Sequence, residues 1–230
     1  MTLVKICGIT NEADMVAAIE AGADFLGFVL YAQSPRAVAP EQIAHLTAYI
    51  RQMEAPRIPL CVGVFVSPAA EYMMQILEGC SLQAAQVHQP DWSALTDLSH
   101  RARGAVYPAA QVSPPSAGRG GAVLAQLGAS SMQIAPWLPQ LLLDAHHPTL
   151  HGGTGQRVDV QLARAVAGRF ERLMLAGGLT PDNVEETIRA VRPWAVDVSS
   201  GVEAAPGRKD HEKVRAFIQA VRAVDEELGL

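Results

Sequence analysis

Little in this chain points toward a macromolecular partner or a cross-linked scaffold. Only 18% of its 230 residues are charged, the formal balance is −5, and no basic block or aromatic-basic interleaving occurs. Nucleic acid is therefore not an expected partner. An anionic small molecule would have to be held by local donors rather than by an overall positive field. The three cysteines, Cys7, Cys61 and Cys80, are widely spaced and form no C-x-x-C pair. Neither a zinc knuckle nor a disulfide framework is expected from them. No run of about 18 uncharged apolar residues exists to span a membrane, and Lys5, Glu12 and Asp14 interrupt any amino-terminal signal peptide. A reducing cytoplasm is the expected setting. No G-x-G-x-x-G follows a strand, so a dinucleotide fold has no specific support.

What the chain does have is apolar residues, 49% of the total, enough for a large core. Short apolar runs alternate with helical patterns from end to end. Strands are expected at Leu3 onward, Phe25–Leu30, Leu60–Val66, Gln83–His88, Ala105–Val112, Gln140–Asp144, Arg172–Ala176 and Ala195–Ser199. Between them, helices are expected at Asn11–Ala21, Pro40–Met53, from Ser67-Pro68 to Gly79, at Asp91–Arg103, before Gly128, at Asp159–Gly168 and from Thr180-Pro181 to Val191. Asp210–Glu227 closes the series. Ser67 and Thr180 read as N-caps, each followed by proline at the first helical position. Eight β-α units in a chain of this length predict an α/β fold, the (β/α)8 barrel, with residues 1–230 as a single domain.

In such a barrel the chemistry lies at the carboxyl ends of the strands. Alternation along Leu3–Cys7 puts Val4 and Ile6 outward and Lys5 and Cys7 inward. Cys7 then either handles a proton at the barrel mouth or is a small buried hydrophobe. Asp144 shares the inward face of Leu142, where apolar neighbours would raise its pKa and suit a general acid; a cap or salt bridge is the bland reading. Gly177-Gly178 and Ser200-Gly201 follow strands seven and eight. With a short helix expected near Ser200, they form a candidate phosphate site. Arg36, behind Ser34-Pro35, could take a carboxylate with both arms of its guanidinium. Three histidines in the loop after strand six, His146, His147 and His151, could bind a metal with Asp144. The adjacency of the first two makes a mobile glycine loop, Gly152-Gly153-Thr154-Gly155, the preferred reading. His88 is either a base or a satisfied structural histidine.

These segments occur in one order: Lys5-Ile6-Cys7-Gly8-Ile9-Thr10, Gly27-Phe28-Val29, Ser34-Pro35-Arg36, Val62-Gly63-Val64-Phe65, Leu142-Leu143-Asp144, Gly152-Gly153-Thr154-Gly155, Leu175-Ala176-Gly177-Gly178-Leu179 and Val196-Asp197-Val198-Ser199-Ser200-Gly201-Val202-Glu203. Over nearly its whole length the chain resembles the phosphoribosylanthranilate isomerases of tryptophan biosynthesis. The resemblance implies an Amadori rearrangement with Asp144 as general acid and Cys7 as general base. It further implies that Arg36 holds the anthranilate moiety and that Asp197 contacts the substrate or orients its neighbours. The backbone around Gly177, Gly178, Ser200 and Gly201 would hold the phosphate, with Gly153 in the covering loop. The implied partner is this small-molecule substrate, for a monomer or homodimer, with no metal and no organic cofactor. Three departures stand out. Gln86-Val87-His88-Gln89 replaces the usual Gln-Leu-His-Gly, strand five reads Val106-Tyr107-Pro108-Ala109-Ala110, and the loop after Asp144 carries His146 and His147. A metal-dependent sugar-phosphate epimerase and a non-catalytic phosphate-binding barrel are the competing readings.

Overall fold

The computed structural model describes residues 1–55, 57–111, 132–144 and 160–230. Eight strands, β1 (Leu3–Cys7), β2 (Phe25–Val29), β3 (Leu60–Val66), β4 (Ala84–His88), β5 (Val106–Gln111), β6 (Leu141–Asp144), β7 (Leu173–Ala176) and β8 (Ala195–Val198), close into a parallel barrel. The helices are α1 (Glu12–Ala21), α2 (Pro40–Ile50), α3 (Ala70–Gly79), α4 (Trp92–Arg101), α5 (Val160–Ala167), α6 (Val184–Val191) and α7 (His211–Leu228). The (β/α)8 architecture is the expected one. The helix expected before Gly128 and the loop carrying His146, His147, His151 and Gly153 lie outside the described residues.

Strand alternation separates two apolar layers. Val4, Ile6, Leu26, Phe28, Leu141 and Leu143 face the helices and belong to the larger core. Phe25, Val62, Tyr107, Leu142, Met174 and Ala195 fill the barrel interior. The two-residue period thus sends every second side chain inward, and the last inward position of each strand lies at the mouth. The barrel is tied shut at its base. The Thr2 main-chain N–H and hydroxyl donate to Asp225 of α7 at 2.8 and 2.7 Å, and Arg222 donates to the Thr2 carbonyl at 2.6 Å. This seats β1 beside β8, with Lys5 in register with Asp197.

Two expected helix starts move. Ser67 does not cap α3: its backbone takes a left-handed φ of 42° and its hydroxyl donates to the Gln89 carbonyl at 2.9 Å. Ala69 stands at the cap with no side-chain bond. Thr180 does not cap α6 either. Its carbonyl accepts from the N–H groups of Asn183 and Val184, and the Asn183 side chain accepts from the Thr180 N–H at 2.9 Å. A turn therefore precedes the helix, and Asn183 takes the cap position. The expected helix at Ser200 is a single 3-10 turn, Ser200–Val202. A hairpin that alternation did not reveal follows it, β9 (Glu203–Ala205) and β10 (Arg208–Lys209).

Candidate active site

A cavity of about 640 Å³ opens at the carboxyl ends of the strands, and Cys7, Arg36, His88, Asp144, Asp197 and Ser199 are in its wall. The two candidate proton carriers thus reach one space from β1 and β6. Cys7 is 8% exposed, and Asp144 is half-buried. Asp144 is on the inward face that alternation from Leu142 requires.

Beneath Cys7 the barrel interior is polar. Lys5 is fully buried and its ammonium donates to Asp197 Oδ1 at 2.9 Å. Burial is the largest influence and would lower the Lys5 pKa, but the charges of Asp197, Cys7 and Tyr107 together with the Asp197 hydrogen bond outweigh it and raise it, so Lys5 stays protonated. Burial likewise pushes the Cys7 thiol up, against the charge and hydrogen bond of Lys5, which pull it down. The net shift is upward. Farther round the barrel the Tyr107 hydroxyl donates to Gln86 Oε1 at 3.1 Å, and the Gln86 amide lies 2.8 Å from His88 Nε2. With its carbonyl oxygen accepting from Tyr107, Gln86 presents its NH₂ to His88. His88 Nε2 is then the acceptor and the neutral ring carries its proton on Nδ1. Burial, then the nearby Lys5 charge, lowers the His88 pKa, which favours that neutral form. His88 is therefore a satisfied histidine whose ring still lines the cavity.

Arg36 does engage a carboxylate with both arms, but an internal one. Its Nε and Nη2 donate to Glu203 Oε1 and Oε2 at 2.8 and 2.7 Å. Glu203 also accepts from Lys209 Nζ at 3.1 Å and from the Gly207 N–H at 3.3 Å. Burial would raise the Glu203 pKa, yet the Arg36 hydrogen bonds and the Lys209 charge hold it below the usual glutamate range. Nη1 of Arg36 makes no hydrogen bond among the described residues. Sequence reasoning missed Glu203 and Lys209 as site residues. Both sit on the short hairpin, whose strands are too brief for alternation to register. The one available signal was a carboxylate directly after Ser200-Gly201-Val202.

The four glycine-loop residues lie where strands seven and eight end. Gly177 and Gly178 have φ of 99° and 66°, conformations open to glycine and strained for other residues. Gly201 packs against the Leu179 main chain so closely that a β-carbon there would overlap the Leu179 carbonyl oxygen. The loops after β7 and β8 are therefore in direct backbone contact. The main-chain N–H groups of Gly177, Gly178, Ser200 and Gly201 make no hydrogen bond among the described residues. The buried Ser199 hydroxyl beside them has no partner there either. Gly153 and the loop histidines lie outside the described residues; among the described residues no three His, Cys, Asp or Glu side chains cluster as a metal site. None of the described helices is long and apolar enough to cross a membrane.

The replaced glycine after β4 has a direct structural outcome. Gln89 adopts the left-handed backbone, φ 48°, that a glycine would occupy without strain. The turn beside the cavity is kept at a cost in strain.

The family model described as N-(5'phosphoribosyl)anthranilate (PRA) isomerase matches residues 4–220. The N-(5'-phosphoribosyl)anthranilate isomerase of Trichlorobacter lovleyi is 43% identical over 219 residues, covering 95% of this chain and 97% of the relative. That of Citrifermentans bemidjiense is 42% identical, covering 97% and 98%. The crystal structure of phosphoribosyl anthranilate isomerase from Thermotoga maritima superposes with a TM-score of 0.78 at 36% identity, covering 97% of this chain and 100% of that one. A phosphoribosyl anthranilate isomerase in complex with reduced 1-(o-carboxyphenylamino)-1-deoxyribulose 5-phosphate superposes with a TM-score of 0.77 at 34% identity, with the same coverage. By its order of motifs, its barrel and these relatives, the chain belongs to the N-(5'-phosphoribosyl)anthranilate isomerase family.

Proposed function

We propose that this enzyme isomerises N-(5'-phosphoribosyl)anthranilate to 1-(2-carboxyphenylamino)-1-deoxyribulose 5-phosphate in tryptophan biosynthesis, with Asp144 as general acid and Cys7 as general base. The observation that carries this assignment is that both side chains line one cavity from different strands. Asp144 gives its proton to the furanose ring oxygen as the C1′–O bond breaks. The anthranilate nitrogen lone pair completes the Schiff base. The Cys7 thiolate then removes the proton from C2′, and that electron pair forms the C1′=C2′ bond of an enolamine. Tautomerisation delivers a proton to C1′ and takes one from the C2′ hydroxyl, leaving the ketone. Every atom of the substrate is retained.

Arg36 offers its Nη1 edge to the anthranilate carboxylate, steadied from behind by Glu203. The N–H groups of Gly177, Gly178, Ser200 and Gly201, which make no hydrogen bond among the described residues, suit a phosphate, with the Ser199 hydroxyl beside them. Asp197 acts chiefly on Lys5. Residues 1–230 are taken as one barrel domain, since α7 packs on α1 and α6 and closes the ring. The decisive test is the loss of phosphoribosylanthranilate fluorescence with purified protein, beside Cys7→Ala, Asp144→Ala and an EDTA-treated sample. Turnover that survives EDTA and falls at least a hundredfold in each variant is expected, in line with the usual worth of a positioned acid or base. Absent turnover in the parent would overturn the reading, and turnover lost to EDTA would favour the metal-dependent epimerase.

A further inference from the structure

We propose that Lys5 is a positioning residue whose ammonium serves as counter-ion to the Cys7 thiolate, with Asp197 holding that ammonium and limiting its pull on the sulfur. The inference rests on the isomerase reading for what the thiolate does, but its test reads the thiol directly.

Three observations converge. Lys5 and Cys7 occupy successive inward positions of β1, and the Lys5 side chain is 0% exposed, with Asp197 Oδ1 its ion-pair partner at 2.9 Å. An ammonium so placed is screened by no solvent and acts on whatever group lies beside it. Second, residue 27 on the neighbouring strand is glycine, and a β-carbon there would sit 2.8 Å from Cys7 Sγ and 3.0 Å from Lys5 Nζ. Sulfur and ammonium therefore close on the same small volume, which glycine leaves free for them. Third, the other two cations facing Cys7, Arg36 from the loop after β2 and Lys209 from β10, are both paired with Glu203 of β9, which leaves Lys5 as the cation that acts most on the thiol. Asp144 of β6 and His88 of β4 share the cavity wall with Cys7, and burial lowers the His88 pKa. Tyr107 of β5 is buried nearby, and burial raises its pKa and keeps it a neutral phenol.

The two partners act on the sulfur with opposite sign. Lys5 favours the thiolate through charge and hydrogen bond, whereas Asp197 disfavours it as a like charge. A residue that only packs has no such signature. Thiolate ultraviolet absorbance of the full chain is followed against pH in the parent, in Lys5→Met and in Asp197→Asn. Each is read against the same protein carrying Cys7→Ser, so that Cys61 and Cys80 cancel. Lys5→Met is expected to raise the Cys7 titration, cutting the neutral-pH thiolate about tenfold or more. Asp197→Asn is expected to lower it. The acid limb of kcat/KM moves with the absorbance in any variant that still turns over. Shifts of the same sign, or no shift, would overturn the proposal. If Lys5→Met fails to fold, Asp197→Asn decides alone, and an unmoved or raised titration there refutes it. Opposite shifts in a parent without isomerase turnover support the thiolate pairing and count only against the isomerase reading.

Discussion

Glu203→Gln is the most informative single perturbation of the site's frame. The Glu203 side chain is 4% exposed and neutralises two cations, Arg36 at 23% and Lys209 at 0% exposure. Glutamine keeps the size but removes the charge, and its NH₂ turns one acceptor into a donor facing donors. Removing one partner from a buried ion pair costs about 3–5 kcal/mol, because the remaining charge is stranded. Arg36 is open enough for water to compensate it in part, so the lower end, about 3 kcal/mol, is expected, most of it from Lys209. For a chain of this length each kcal/mol lowers Tm by about 2–4 °C, a drop of about 6–12 °C in all. The difference has a defined pH dependence. The folded-state pKa of Glu203 is depressed, so its contribution is fully present above about pH 4.3, the ordinary glutamate value. It is lost as pH falls through the lower folded value, and the parent and Glu203→Gln should converge there. Urea unfolding at neutral and acid pH measures this, and kinetics add a second reading. Because Glu203 steadies Arg36 rather than the reacting atoms, KM should rise more than kcat falls. A neutral-pH loss under about 1 kcal/mol would refute the stranded-charge reasoning.

Further outcomes follow from other parts of the site. Gly201→Ala puts a β-carbon into the Leu179 carbonyl oxygen; as backbone meets backbone, the loops after β7 and β8 must part, weakening inorganic phosphate as a competitive inhibitor about tenfold or more, and an unchanged inhibition constant would exclude a phosphate site there. Burial pushes the Cys7 thiol up, so kcat/KM should fall as pH drops below a limb lying above the ordinary thiol value; a limb below that value would remove Cys7 as the titrating base. Gln89→Gly relieves a left-handed glutamine at φ 48° and should raise unfolding stability by about 1 kcal/mol, measured by urea titration. Unchanged or lower stability would show that the turn is unstrained.

The inward and outward faces of the barrel were legible in sequence because a strand has a period of two whatever it packs against. Lys5 and Cys7 facing in, Val4 and Ile6 facing out, and Asp144 beside Leu142 all follow from alternation. Helix starts were less secure. The Ser67 and Thr180 patterns were sound in isolation, but Ser67 found a better acceptor in the Gln89 carbonyl and Thr180 was drawn into a turn by Asn183. Such bonds between neighbouring loops compete with capping and carry no mark in the local sequence.

The sequence by itself determined the eight-unit barrel, the inward placement of Cys7 and Asp144 at strand ends and the glycine loops, because periodicity and turn chemistry act within a few residues. Only the tertiary structure decided who pairs with whom among the charges. Arg36 meets Glu203, Glu203 meets Lys209, and Lys5 meets Asp197. Glu203–Lys209 is made across the β9–β10 hairpin, whereas the other two pairs join distant parts of the chain and exist because closing the barrel sets β1 against β8. Coulomb attraction in a dry interior depends on distance in space, and sequence spacing does not report that distance until the ring has closed.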